Sequence, residues 1–126
     1  MAESTLRVLV VDDEELVRVV VAELIQNEGH LVHQCSGAAE ALEYFKLNSV
    51  DLLFTDLSMP GIRGVQLIEE VLRLGLLSKE RIVAVTGLSF ESPEVRWLTA
   101  RKIFVLFKPF DTVALRWSLS TLLTGA

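Results

Sequence analysis

The sequence predicts an α/β fold: a single doubly wound domain with a five-stranded parallel sheet packed between helices. Three observations carry this expectation. Five short apolar runs, Val8–Val11, Leu31–Val32, Leu52–Phe54, Ile82–Val85 and Ile103–Phe107, recur at intervals of 21 to 30 residues. That interval fits a strand, a loop, a helix and a loop. The stretches between the runs carry apolar residues at helical spacing, and runs such as Leu52-Leu53-Phe54 are continuous, as in strands buried on both faces.

Composition sets the outer limits. A chain of 126 residues fits one domain (1–126, core about 6–123) with a sizeable core. Its 51% apolar and 23% charged residues are globular values that exclude disorder. A net charge of −5 argues against direct nucleic-acid contact, because no basic stripe offsets phosphate repulsion. The single cysteine, Cys35, has no internal disulfide partner and fits a reducing compartment. With no leader-like segment at the start and no apolar run near ~18 residues, no membrane association is expected. The expected location is cytoplasmic.

Taken in order, the first strand ends in Asp12-Asp13-Glu14-Glu15. A helix from Glu14 to Glu28 follows, with Val17, Val20, Val21, Leu24 and Ile25 inward and Gly29 as its C-terminal stop. The second strand, His30–Cys35, is poor in apolar residues and reads as an edge; the other four are apolar enough for central positions. The second helix, Gly37 to Asn48, turns Ala41, Leu42 and Phe45 inward, and the third, Gly64 to Leu74, turns Leu67, Ile68, Val71 and Leu72 inward before Gly75. Ser92-Pro93 supplies an N-cap and a proline at the first position of a short fourth helix through Val95, Trp97 and Leu98. Asp111 caps the fifth, with Leu115, Leu119, Leu122 and Leu123 inward.

The chemistry lies at the strand ends. The third strand stops at Asp56 before Leu57-Ser58-Met59-Pro60-Gly61, the fourth at Thr86, and the fifth at Lys108-Pro109. Parallel strands put all these termini at one edge of the sheet. In the order 2-1-3-4-5 the first and third strands flank the switch point where open α/β sheets take their ligands. Asp12, Asp13 and Asp56 then meet there, with Lys108 near. Each residue alone has a plainer reading: Asp56 starting a turn, Asp12 or Asp13 capping a helix, Lys108 a solvated surface lysine, Thr86 a capping or strand threonine. Together, three carboxylates and one ammonium leave about −2, which a hard divalent ion such as Mg²⁺ would balance. A carboxylate beside Mg²⁺ can accept a phosphoryl group as an aspartyl-phosphate. The phosphoryl oxygens would fall to Mg²⁺, to Lys108, and to the Thr86 hydroxyl with the Gly87 amide.

These stretches are in register with a known family. Val8-Leu-Val-Val-Asp-Asp-Glu14, Asp51-Leu-Leu-Phe-Thr-Asp-Leu-Ser-Met-Pro-Gly61 with Gly64, Val85-Thr-Gly87 and Phe107-Lys-Pro-Phe110 resemble the receiver domain of bacterial two-component response regulators, from about Leu6 to Leu123. The resemblance is to the chemotaxis-regulator type and implies a flavodoxin-like (βα)5 fold. It implies Asp56 as phospho-acceptor from a sensor histidine kinase or phosphotransfer protein. Asp12, Asp13, Asp56 and the Ser58 carbonyl would hold Mg²⁺, with Gly87, Leu57 and Ser58 around the phosphate. Thr86 would be the switch hydroxyl and Lys108 the phosphate-contacting lysine, with a cis bond to Pro109. Phosphorylation would change the surface of the fourth helix, fifth strand and fifth helix, to control a partner or output domain or to form a dimer. The domain would be a signalling module with self-catalysed phosphoryl transfer and slow autodephosphorylation, not an enzyme in its own right.

Three positions depart from the family. Val105 stands where a switch tyrosine or phenylalanine is usual, with Phe104 and Phe107 on either side; Phe107 shares its strand face. Arg101 replaces a customary glycine after the fourth helix, and Arg63 stands where an acidic residue is common. Trp97 and Trp117 fall near the expected signalling face, Trp117 pointing away from the core centre, either packed over the fifth strand or open to a partner. His30 and His33 lie away from the carboxylates and are not read as ligands or phosphoryl carriers. Rival readings fit less well. A haloacid-dehalogenase-type phosphatase needs a carboxylate where Ser58 stands, and a flavin or nucleotide site needs a phosphate-cradling loop where Asp-Asp-Glu-Glu would repel one. The stronger alternative is a pseudo-receiver, an interaction module that keeps the pocket and signals without phosphorylation.

Overall fold

The structure is a computed structural model; it describes residues 5–57 and 64–124, those from 121 onward in backbone only. Five strands, β1 (Arg7–Val11), β2 (Leu31–Cys35), β3 (Leu52–Asp56), β4 (Ile82–Thr86) and β5 (Phe104–Phe107), form one parallel sheet in the order β2-β1-β3-β4-β5. Helices α1 (Glu15–Asn27), α2 (Ala38–Leu47), α3 (Gly64–Arg73), α4 (Pro93–Ala100) and α5 (Thr112–Thr124) alternate with them, and a short 3-10 turn, Lys79–Arg81, leads into β4. The fold class, the strand order and the five helices are those the sequence predicts.

Two apolar layers flank the sheet. Leu9, Val11, Leu53, Ile82 and Ala84 pack with α2, α3 and α4 through Ala41, Phe45, Leu67, Ile68, Val71, Val95 and Leu98. Val8, Val10, Leu52, Phe54, Val83 and Val85 pack on the other side with α1 and α5 through Val21, Ile25, Leu115 and Leu119. Every residue of β3 and β4 is buried, which accounts for their unbroken apolar sequence.

Several elements depart from expectation. β2 is an edge, but so is β5, which among the described residues pairs only with β4. Its apolar sequence reflects helices covering its faces, since Phe104 lies on the α1/α5 side and Val105 on the α2–α4 side; being an edge concerns only the backbone ladder. Val20 is 52% exposed. The inward row of α1 is Val17, Val21, Leu24 and Ile25 with Ala22, and Val20 stands one position off it, toward the Lys108–Phe110 loop.

Helix ends follow the chain's own signals. Gly29 and Gly75 adopt φ of +96° and +70° after α1 and α3. After α3, Gly75 N–H donates to the Leu72 carbonyl and Leu76 N–H to that of Val71, a complete left-handed cap. The same motif closes α4, where Lys102 N–H donates to Thr99 and Ile103 N–H to Leu98. The left-handed residue there is Lys102, at φ +62°, while Arg101 keeps a negative φ of −98°. Arg101 instead lays its guanidinium over Trp97, 4.0 Å from the ring centroid. Ser92 Oγ accepts from Val95 N–H at 3.4 Å, and Asp111 Oδ1 from Ala114 N–H at 2.8 Å, so both predicted N-caps are present. The inward placement of Leu122 and Leu123, and all of Arg63 and Ser58, lie outside the described side chains.

Candidate functional site

Strand register builds the site. Val11 pairs with Thr55, and Asp56 with Val85, so the residues that leave β1 and β3 at their C-terminal ends stand side by side. Asp12 and Asp56 are almost fully buried, at 4% and 5% exposure, and Asp13 is exposed. One carboxylate oxygen from each of Asp12, Asp13 and Asp56 can be chosen so that all three lie within 4.8 Å of one another. Three hard oxygen donors, one reachable from solvent, suit a divalent cation of the Mg²⁺ type, which keeps several waters beside one or two carboxylates.

Lys108 reaches the same point from β5. Its Nζ lies 3.4 Å from Asp12 Oδ2, 3.4 Å from Asp56 Oδ1 and 3.5 Å from Glu14 Oε1. Partial burial acts to lower its pKa, but the Asp56 and Asp12 carboxylates outweigh this and hold it above the ordinary 10.5. Its own backbone is fixed to β4, with Lys108 N–H donating to the Thr86 carbonyl at 2.7 Å, and its bond to Pro109 is cis, as the family resemblance implies.

Thr86 is fully buried, and its Oγ1 accepts the Leu88 N–H at 2.9 Å. That leaves the hydroxyl proton available to an acceptor in the pocket. Gly87 is exposed next to it. Leu57 is buried, and its N–H donates to the Val85 carbonyl at 3.3 Å, continuing the β3–β4 ladder. Val105 is partly buried against the α2–α4 layer, and Phe107, 39% exposed, pairs in register with Thr86. Trp117 is 62% exposed and lies 5.6 Å from Phe104 at a tilt of 49°, so it both packs over β5 and presents surface.

Three supporting residues escape a reading by strand ends alone. Asp12 Oδ1 accepts the Glu14 N–H at 2.9 Å, so Asp12 opens the turn into α1 while keeping its other oxygen toward Lys108. Arg18 Nη1 donates to the Asp12 carbonyl and its Nε to Gln34 Oε1, bracing the end of β1 from α1. Gly64 opens α3 directly against β3: a Cβ there would meet the Asp56 carbonyl oxygen at 2.0 Å and Leu57 Cα at 2.6 Å. Its place in the Asp51–Gly64 motif was the available signal. The contacts of Glu14 and Arg18 depend on side-chain rotamers that spacing does not specify.

Comparison with known proteins places this arrangement. Residues 8–120 match the family described as "Response regulator receiver domain". The chain is 27% identical to the chemotaxis protein CheY of Bacillus subtilis over 106 residues, covering 83% of this chain and 87% of that protein. It is 31% identical over 106 residues to the transcriptional regulatory protein PdtaR of Mycobacterium tuberculosis, and there it spans 83% of this chain but half of the relative. Among solved structures, the chemotaxis response regulator CheY4 of Vibrio cholerae superposes with a TM-score of 0.81 at 26% identity, covering 94% of this chain and 99% of that one. The response regulator TrrA of Thermotoga maritima, in complex with Mg(2+)-BeF, superposes with a TM-score of 0.79 at 29% identity, covering 94% and 99%.

Proposed function

The chain belongs to the response regulator receiver family, and from that premise we propose that it accepts a phosphoryl group on Asp56 from a histidine phosphodonor and passes the event to the α4–β5–α5 surface. One observation carries the reading: the Lys108 ammonium stands 3.4 Å from both Asp12 and Asp56 at the edge where β1, β3 and β5 end.

The chemistry follows from these side chains. An Asp56 oxygen attacks phosphorus as the phosphorus–nitrogen bond of a phosphohistidine breaks, and the bonding pair returns to the imidazole. The transition state is loose, so positioning and charge neutralisation are the main demands. Lys108 leaves its place between the carboxylates for a phosphoryl oxygen, and the Thr86 hydroxyl, already oriented by the Leu88 amide, donates to another. Asp12, Asp13 and Asp56 would hold Mg²⁺, which when bound neutralises phosphoryl charge. An apolar strip, exposed at Leu16, Val20 and Pro109 and continued by the partly buried Phe110, lines a groove of about 580 Å³ next to Lys108 and suits a docking donor helix.

Transmission differs from the usual pattern. The register of Phe107 with Thr86 supports Phe107 as a partial substitute for the usual switch aromatic, with Val105 packed against the α2–α4 layer. The small side chain at Val105 also supports a second reading, the pseudo-receiver, in which the α4–β5–α5 face, with Trp97 and Trp117, binds a partner whatever the state of Asp56.

In acetyl phosphate and Mg²⁺, the protein should gain a phosphorus NMR signal of an acyl phosphate that hydroxylamine removes. Backbone amides of α4, β5 and α5 should shift with it. An acyl phosphate with those amides unmoved would favour the pseudo-receiver, and no acyl phosphate would overturn the acceptor assignment.

A further inference from the structure

A second cluster of ligand-type side chains lies outside the acidic pocket. His33 and Cys35 share one face of the edge strand β2, and Glu40 stands in the first turn of α2 above them. A ring nitrogen of His33, the Cys35 sulfur and a carboxylate oxygen of Glu40 all lie within 4.8 Å of one another.

The thiol is what makes this more than a chance grouping. Cys35 is 1% exposed and its thiol is free, with no disulfide. The other two ligands are held in place from outside. The His33 ring stacks on Tyr44 at 4.0 Å and 12°, which fixes its plane and leaves its nitrogen edges clear. Glu40 receives the Ser36 N–H at 2.9 Å and the Ser36 hydroxyl at 3.1 Å, both on Oε1, so Oε2 is available. Burial first, and then the Glu40 charge, push the thiol pKa up to about 12, so without an ion the site holds a neutral thiol beside a carboxylate.

We propose that His33, Cys35 and Glu40 form a binding site for a borderline transition-metal cation of the Zn²⁺ class, with its fourth position open to water. The donor set is one imidazole nitrogen, one sulfur and one carboxylate oxygen, the combination that selects Zn²⁺ over Mg²⁺. Binding replaces the thiol proton with the metal–sulfur bond and releases that proton to solvent. The thiolate and the Glu40 carboxylate then balance the divalent charge. The site is distinct from the acidic pocket but adjoins it, because the Cys35 carbonyl accepts the Asp12 N–H at 3.1 Å.

The test uses the full chain with excess Mg²⁺ present, so that hard-oxygen sites are filled. Co²⁺ is added as a spectroscopic probe, and Zn²⁺ is titrated calorimetrically. The expected result is one equivalent bound, with a thiolate-to-cobalt charge-transfer band that Zn²⁺ abolishes and Cys35→Ala lacks. His33→Gln and Glu40→Gln change exposed side chains and keep the fold if Cys35→Ala does not. Each should weaken Zn²⁺ by at least the roughly 10–100-fold that loss of an outer metal-site partner costs. Absence of the band, or Zn²⁺ affinity unchanged in His33→Gln and lowered in Asp13→Asn, would overturn the assignment and place the ion in the acidic pocket.

Discussion

Replacing Gly64 with alanine tests how closely α3 must approach the acceptor strand. The added Cβ would lie 2.0 Å from the Asp56 carbonyl oxygen, 2.6 Å from Leu57 Cα and 2.9 Å from the Asp56 carbonyl carbon. All three are backbone atoms, so no side-chain rotation relieves the clash. Reaching an ordinary contact requires α3 or the end of β3 to move by more than about 1 Å, and misplacement of that size costs on the order of 10²-fold in rate where geometry sets the reaction. Overpacking adds about 1–3 kcal/mol of destabilisation. The assay is the rate of phosphoryl incorporation from acetyl phosphate, beside the urea midpoint. Gly37→Ala is the control, because nothing lies within 4 Å of a Cβ there and its backbone is extended. A Gly64→Ala protein that phosphorylates at the wild-type rate would refute the reasoning.

Other perturbations have expected signs. Lys102→Gly should stabilise the protein by about 1 kcal/mol, since a left-handed L-residue costs roughly 1–2 kcal/mol and glycine returns part of that as unfolded-chain entropy; a raised urea midpoint checks it. Ser92→Ala should lower that midpoint, and the long 3.4 Å cap bond puts the loss near the low end of the usual range, about 0.5–1 kcal/mol. Lys108 has its pKa raised in the folded state, so its ion pairs contribute in full below the unfolded value near 10.5. That contribution is lost as pH rises through the higher folded value. In Mg²⁺-free buffer the stability difference between wild type and Lys108→Gln should therefore hold to about pH 10 and shrink above it.

Much of this was readable from residue order. Continuous apolar runs ending in Asp12, Asp56, Thr86 and Lys108 determine both the parallel sheet and the edge where those residues meet, because parallel register carries each strand end to the same side. The caps Ser92 and Asp111 and the stops Gly29 and Gly75 were legible because each residue type matches one backbone requirement. Position within the sheet was less so: β5 reads as central because its faces are covered, and sequence reports face burial rather than ladder partners. Val20 shows the limit of helical periodicity, which cannot decide which side of an apolar stripe lies over a loop. The His33–Cys35–Glu40 group joins a strand to the following helix, and its proximity arises only once α2 packs on β2.

The most direct test of the acceptor assignment is the intact mass of the protein after incubation with Mg²⁺ and acetyl phosphate, run beside Asp56→Asn. One phosphoryl adduct on the wild type, absent from the variant and after chelation, is the predicted result. An adduct that persists in Asp56→Asn, or none on the wild type, would contradict the account.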